Sequence, residues 1–264
     1  MKDLLRHGIY LRSLPTAGLP TNYSPAAGIR TRAAQLQAFL GGLQACASCS
    51  LAPPGLLKLL VVNRADWRAL TSYPYGFPVL RTRRAVTSMI AAADYPSRML
   101  RSFDDTLLFS GQTGRYPPGR VPEFLDLLIG QRWGYAFLGL LGVRTRIRWF
   151  DEILATHLFR LSLRDYAGHS YWRRCLAWSR VFTAERGDYP PPWTFVPPKS
   201  RTDIVAAVRL HGMLIWGVSV LLDHRGWELF GEVERVLATR KQVGLEDTLV
   251  ALEPGFAELL ESLS

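Results

Sequence analysis

Cysteine is scarce in this chain, and its count of three is odd, so the thiols cannot all pair with one another in a disulfide framework. Only Cys46 and Cys49 lie close in sequence, and no second Cys or His pair follows at zinc-finger spacing. That pair ends an apolar helical pattern, so buried, inert thiols are expected. Long hydrophobic runs are also missing. The most apolar stretches, Ala136 to Val143 and Met213 to Leu222, fall far short of the roughly 20 residues that span a bilayer. The opening Met1-Lys2-Asp3-Leu4-Leu5-Arg6-His7 lacks the apolar core of a signal peptide. A cytoplasmic protein without membrane attachment is the expectation. No serine sits in a G-x-S-x-G elbow, and Gly111-Gln112-Thr113-Gly114 lacks the lysine that a phosphate-cradling loop requires.

Lysine is nearly absent, occurring only at positions 2, 58, 199 and 241; arginine supplies the remaining positive charge. Guanidinium is the better donor to planar carboxylates and phosphates. The net charge of +10 is unevenly spread: residues 1–200 carry +14 and residues 201–264 carry −4. A basic face attracts anionic partners whatever the fold. A hydrophobic content of 48% with 20% charged residues excludes wholesale disorder and allows a substantial core.

Along the chain, residues 1–30 read as an irregular lead-in, with Pro, Gly, Ser and Thr concentrated over 11–30. Ala33 to Leu51 has helical periodicity, ended by Pro53-Pro54-Gly55. Leu56 to Val62, Val79 to Arg81 and Val86 to Ala92 are strand candidates. Asp66 to Leu70 forms a helical turn, and Ser97 to Leu108 a helix. Gly111 to Pro122 is a loop. Helical patterns then cover Glu123 to Leu141, Trp149 to Arg164 and Tyr166 to Arg186. Five prolines make Gly187 to Ser200 a crossing loop, anchored by Trp193 and Phe195. Thr202 to Leu222, Gly226 to Thr239 and Leu245 to Leu263 complete the helices. The expected fold class is α+β: one domain over 31–264, its sheet within 31–122 and its helical part over 123–264.

The most informative segment is Gly130-Gln131-Arg132-Trp133-Gly134-Tyr135-Ala136, which follows an apolar run from Phe124. It resembles the active-site helix of the H-E-x-x-H zinc peptidases, in which the run continues as G-H-E-x-G-H-A. Downstream, Trp149-Phe150-Asp151-Glu152-Ile153-Leu154-Ala155 is similar to the second helix of the gluzincin branch, where D/N-E-x-x-A supplies a glutamate ligand. The 16 residues between Tyr135 and Glu152 are close to that branch's spacing. The strand-rich stretch before residue 100 suits a family whose sheet edges the cleft. The resemblance covers residues 55–225, and its specific part is the two motifs and their connection.

The resemblance implies a zincin-like fold and a lost metal site. Two imidazoles four apart on a helix face, with a carboxylate from the next helix, hold zinc, while the motif glutamate deprotonates bound water. Here Gln131 and Tyr135 stand at the histidine positions, Arg132 at the base position, and Glu152 remains. An amide and a phenol are poor zinc ligands, and a guanidinium repels the cation and accepts no proton. No metal, no cofactor and no zinc-dependent hydrolysis are therefore expected. A carboxylate left in a cleft needs a positive partner, so a hydrogen-bonded cluster of Gln131, Arg132, Tyr135 and Glu152 is predicted. The alternative is an ordinary amphipathic helix whose G-x-x-x-G spacing serves close packing.

Val143-Arg144-Thr145-Arg146-Ile147-Arg148-Trp149 alternates, which in an extended segment puts Arg144, Arg146 and Arg148 on one face, either as an anion site or as a solvated face. Arg81, Arg83 and Arg84 with Arg173 and Arg174 extend the basic character, and Tyr171-Trp172 interleaves aromatics that suit stacking on single-stranded nucleic acid. His157 and His211 sit in apolar helical patterns as core or cleft histidines; a rebuilt metal site from His157, His169 and Cys175 has no recognisable spacing. The leading functional expectation is a catalytically inactive, peptidase-like binding or regulatory module with a protein or peptide partner. The alternatives are a nucleic-acid-associated protein, and an enzyme with new chemistry on Arg132, Tyr135 and Glu152.

Overall fold

The structure is a computed structural model that describes residues 9–15, 18–52, 55–83, 86–101, 103, 121–183, 201–239 and 244–263. The chain is mixed α+β, with a small N-terminal mixed sheet and a mostly helical remainder. The strands are β1 (Arg12–Ser13), β2 (Thr21–Tyr23), β3 (Leu56–Val62), β4 (Val79–Arg83) and β5 (Val86–Ala92). Their order across the sheet is β1-β2-β3-β5-β4. β2, β3 and β5 run parallel, with Thr21 opposite Leu59 and Leu59 opposite Met89, while the outer strands β1 and β4 are antiparallel. Parallel neighbours need a crossover. Helix α1 (Ile29–Ser50) links β2 to β3, and α2 (Arg64–Leu70) with β4 links β3 to β5.

β3 is apolar apart from Lys58 because both sheet faces are covered. Leu57, Leu59, Val61, Met89 and Ala91 join the main core with α1 and the later helices. Leu60, Val62, Ile90 and Ala92 turn the other way, onto Trp67 and Leu70 of α2. The side chain of Asn63 starts α2 by accepting from the Asp66 N–H at 2.9 Å, as an N-cap should.

The helical part comprises α3 (Val121–Leu141), α4 (Arg148–Ala167), α5 (His169–Thr183), α6 (Arg201–Leu221), α7 (Glu228–Thr239), α8 (Leu245–Leu252) and α9 (Gly255–Leu263). α4 is the axis of this part. Every residue from Trp149 to Leu163 is buried, because α1, α3, α5 and α6 all pack around it. An all-round buried helix must satisfy its polar side chains internally, and those side chains lead to the site.

Several expectations need correction. The lead-in supplies two strands, and its Leu19 and Tyr23 are buried. α1 begins at Ile29 rather than Ala33, and α3 at Val121 rather than Glu123, since Pro122 is tolerated in a first turn. The break expected between Arg164 and Tyr166 falls three residues later: α4 runs to Ala167 and ends at Gly168, whose φ of 77° an L side chain rarely adopts. The pattern expected over Leu245 to Leu263 is two helices, parted before Pro254. Helical residues 97–101 open the expected Ser97 to Leu108 segment. Its end, most of the Gly111 to Pro122 loop, and Gly187 to Ser200 with Trp193 and Phe195 lie outside the described residues. Among the described residues, no helix is long and apolar enough to cross a membrane.

Candidate functional site

The site forms where α3 crosses α4. Gly134 sits at the contact: a Cβ there would collide with the Ala155 main-chain oxygen, and one at Gly130 with the Phe159 ring. The G-x-x-x-G spacing therefore does serve close helix packing. The same closeness brings the polar side chains of the two helices into reach. Arg132 Nη1 donates to Glu152 Oε1 at 2.7 Å. Glu152 is only 1% exposed, so this is a buried ion pair rather than a surface one.

The predicted four-membered hydrogen-bonded cluster is not what forms. Gln131, fully buried, donates from Nε2 to Thr156 Oγ1 at 2.5 Å, and Thr156 in turn donates to the Glu152 carbonyl at 2.8 Å. Gln131 thus reaches the residue one helical turn beyond Glu152, not its carboxylate. Tyr135 contributes its ring. The Arg132 guanidinium carbon lies 4.8 Å from the ring centroid and that of Arg144 4.4 Å from it, and Arg144 Nη2 also donates to the Tyr135 carbonyl at 3.3 Å. Two cations over one aromatic ring are attracted by the negative quadrupole of its π-faces. Burial, then the Glu152 charge, push the Tyr135 phenol above its usual range, with Arg144 opposing.

The extended arginine face is also corrected. Arg146 adopts a positive φ of 67°, and Arg148 is already the first residue of α4, so the alternation stops midway. Arg144 and Arg146 are exposed and Arg148 is half-buried. Between them Thr145 turns inward, where Asp151 accepts from its N–H and its hydroxyl, both at 2.8 Å. Burial raises the Asp151 carboxyl above the ordinary range, and the two Thr145 hydrogen bonds oppose that. Asp151 therefore anchors the connection between the site helices.

Sequence reasoning did not place His211 or Phe77 here. His211, from α6, is fully buried and stacks on Phe77 at 6.1 Å, just ahead of β4. Burial, with the Arg132 charge as second cause, holds its imidazole well below the normal range. His157 points elsewhere, onto Phe230 at 5.8 Å, and burial and then Arg160 press it down to about 3. His169 is exposed on α5 while Cys175 is buried. Among the described residues no group of three His, Cys, Asp or Glu is placed to hold a metal. Cys46 is half-buried and Cys49 exposed, contrary to the expectation of buried thiols. Trp172 belongs to the core beside Phe159, which leaves Tyr171 as the exposed aromatic of that pair. Arg81 donates to the Leu70 carbonyl at 2.6 Å, and Arg84 lies outside the described residues.

The residues at the crossing do not fit zinc. The carboxylate that would be a ligand is engaged by a guanidinium, and the two positions four apart hold an amide turned to Thr156 and a ring flanked by cations. Three polar atoms here, Gln131 Oε1, Arg132 Nε and Glu152 Oε2, are buried without a hydrogen-bond partner among the described residues. Such atoms cost stability, and their concentration at one crossing marks a place not optimised for packing alone. No family model matches the chain, and no curated protein or solved structure does so either.

Proposed function

We propose that this chain is a zincin-like protein of the gluzincin type whose metal has been replaced by an internal ion pair, and that it acts in the cytoplasm as a binding or regulatory module rather than as a hydrolase. The observation that carries the reading is the Arg132–Glu152 pair: 2.7 Å long, buried, and formed by the two motif positions that would otherwise serve zinc chemistry. Its setting supports it as well. A sheet precedes the site helix, and β4 ends that sheet with a neighbour on one side only among the described residues. The start of β4 is tied to the site through Phe77, His211 and Arg132. A free strand edge can take an extended peptide by main-chain pairing, and the exposed Arg81 and Arg83 on it favour an acidic one. The division of Tyr171 and Trp172 between surface and core removes one stacking platform from the nucleic-acid alternative. An enzyme reading would have to use Arg132 and Glu152 as a bonded pair rather than as separate groups.

The test rebuilds the family motif. The triple substitution Gln131→His, Arg132→Glu, Tyr135→His should take up about one zinc per chain, read by elemental analysis of the folded protein. Adding Glu152→Gln should abolish that uptake, and the parent chain should hold none. Stoichiometric zinc in the parent, or a folded triple variant indifferent to zinc, would sink the proposal. Retention of the parent on DNA or RNA that weakens steeply with salt would move the partner class to nucleic acid.

A further inference from the structure

A second concave feature lies away from the α3–α4 crossing. It is a cleft of about 410 Å³ lined by α1, the first turns of α3, and α5, within the size range of small-molecule sites. Its apolar lining is rich in rings. Trp178 stacks on Phe124 at 5.1 Å and 16°, and Phe39 and the exposed Tyr171 line it from α1 and α5. Four charged side chains also line it, and they form two pairs of different character. Arg32 is closed off: it grips both oxygens of Asp126 and reaches the Tyr95 hydroxyl. Arg174 and Glu123 are loosely held at 3.5 Å, with side chains 41% and 56% exposed, and Arg174 leans over the Tyr171 ring at 5.5 Å. The more accessible charge of this cleft, against 17% and 27% exposure for Arg32 and Asp126, is therefore one cation and one anion side by side beside aromatic walls.

That arrangement selects by sign. A ligand with a single charge meets attraction from one of the two side chains and repulsion from the other. A head group with both signs on neighbouring atoms is attracted by both. We propose that the cleft binds a free aromatic α-amino acid as its zwitterion, with its carboxylate on Arg174, its ammonium on Glu123, and its ring against Phe39, Tyr171 and Trp178. Offset or edge contacts with these rings add to the burial of the ligand's apolar surface. The proposal does not depend on the reading of the Arg132–Glu152 pair.

Isothermal titration calorimetry on the full chain tests it, with L-phenylalanine as the probe and phenethylamine, 3-phenylpropionate and L-leucine as comparisons. The expected result is saturable, one-site binding of L-phenylalanine, with each comparison at least about tenfold weaker. Arg174→Ala and Glu123→Gln should each weaken L-phenylalanine by about tenfold. Both side chains are solvent-accessible, so unchanged thermal melting confirms that the variants fold. Absence of saturation with the parent chain overturns the proposal. So does binding of either singly charged analogue or of L-leucine as tightly as L-phenylalanine, or full affinity in both folded variants.

Discussion

Two arginines pack at α4, Arg160 fully buried on it and Arg132 with its side chain 12% exposed beside it, and they are held in opposite ways. Arg160 projects from α4 to the C-terminal end of α6, where its Nη1 donates to the carbonyls of Val218 and Leu222 at 3.3 and 2.9 Å and its Nη2 to that of Asp223 at 3.1 Å. The Val218 and Leu222 carbonyls also accept from the Leu222 and Arg225 N–H groups at 3.1 Å, so Arg160 adds a second donor at the negative end of the helix dipole, where a cation acts as a structural cap. Burial lowers the Arg160 pKa and the Asp223 carboxylate opposes that. Arg132 has no such main-chain role. It meets a buried carboxylate, keeps Nε unmatched, and leaves Glu152 Oε2 unmatched as well. One guanidinium finishes a helix; the other neutralises a charge that the fold itself does not require. Buried cations therefore have to be read by what they bond to, since burial alone does not separate the two cases.

That difference makes the largest prediction. Glu152→Ala strands the Arg132 guanidinium and should cost about 3 kcal/mol in denaturant unfolding, because removing one partner of a buried pair leaves an uncompensated charge. The double substitution Arg132→Met, Glu152→Leu should return stability to within about 1 kcal/mol of the parent or above it. Arg160→Met should cost about 2 kcal/mol, and no second substitution of its ionic partner should restore it, because what is lost are hydrogen bonds to main-chain carbonyls that no side-chain change can remove. Asp223, whose side chain is 79% exposed, should change stability by less than about 0.5 kcal/mol when replaced by Ala. If the Arg132–Glu152 double variant unfolds as easily as Glu152→Ala, the two arginines are alike and the contrast fails.

A second prediction uses the histidines that neighbour these two cations, His157 beside Arg160 and His211 beside Arg132. Both have folded-state pKa values lowered by burial, to about 3 for His157 and well below normal for His211. The unfolded chain takes up a proton near pH 6.5 while the folded chain stays neutral, so stability falls as the pH drops below that value. Each histidine should contribute a slope of about 1.4 kcal/mol per pH unit, continuing for His157 toward pH 3. Urea midpoints measured from pH 7 to pH 4.5 check this. His157→Leu and His211→Leu should each flatten the slope, and an unchanged slope in both would show that neither imidazole is held neutral.

Much of this was legible in the sequence, for physical reasons. β3 and β5 were visible because both faces of the sheet are covered, which leaves each strand mostly apolar, with Lys58 in β3 and Thr87 and Ser88 in β5 as the exceptions. α3 and α4 were visible from their stripes, and the resemblance to the two zinc-peptidase site helices implied that Arg132 and Glu152 meet. β2 was not visible. Its three residues lie among prolines and glycines, and its place depends on main-chain pairing with Leu59 to Val61, which leaves no pattern in so short a run. The exact place of the break at Gly168, three residues after the expected one, and the positive φ of Arg146 are single-residue backbone events inside otherwise regular patterns. The Gln131–Thr156 bond had a usable signal, since Thr156 lies four residues after Glu152 on the same helix face. His211 had none, because only the packing of α6 against the site brings it there.

The smallest predicted effect sharpens what Tyr135 does. Had it stood in for a metal ligand through oxygen, its hydroxyl would be the working group. The ring lies 4.8 Å and 4.4 Å from the guanidinium carbons of Arg132 and Arg144, so the π-face is what these cations feel. Tyr135→Phe keeps that face and should leave unfolding free energy within about 0.5 kcal/mol of the parent. Tyr135→Leu keeps an apolar side chain but removes the quadrupole, and should cost about 1 kcal/mol more than Tyr135→Phe. The same substitution should have no extra effect once Arg132 and Arg144 are both replaced by Met, since the interaction it removes is then already gone. A loss for Tyr135→Phe as large as that for Tyr135→Leu would assign the role to the hydroxyl, and would return Tyr135 to the hydrogen-bonded cluster that its position in the motif first implied.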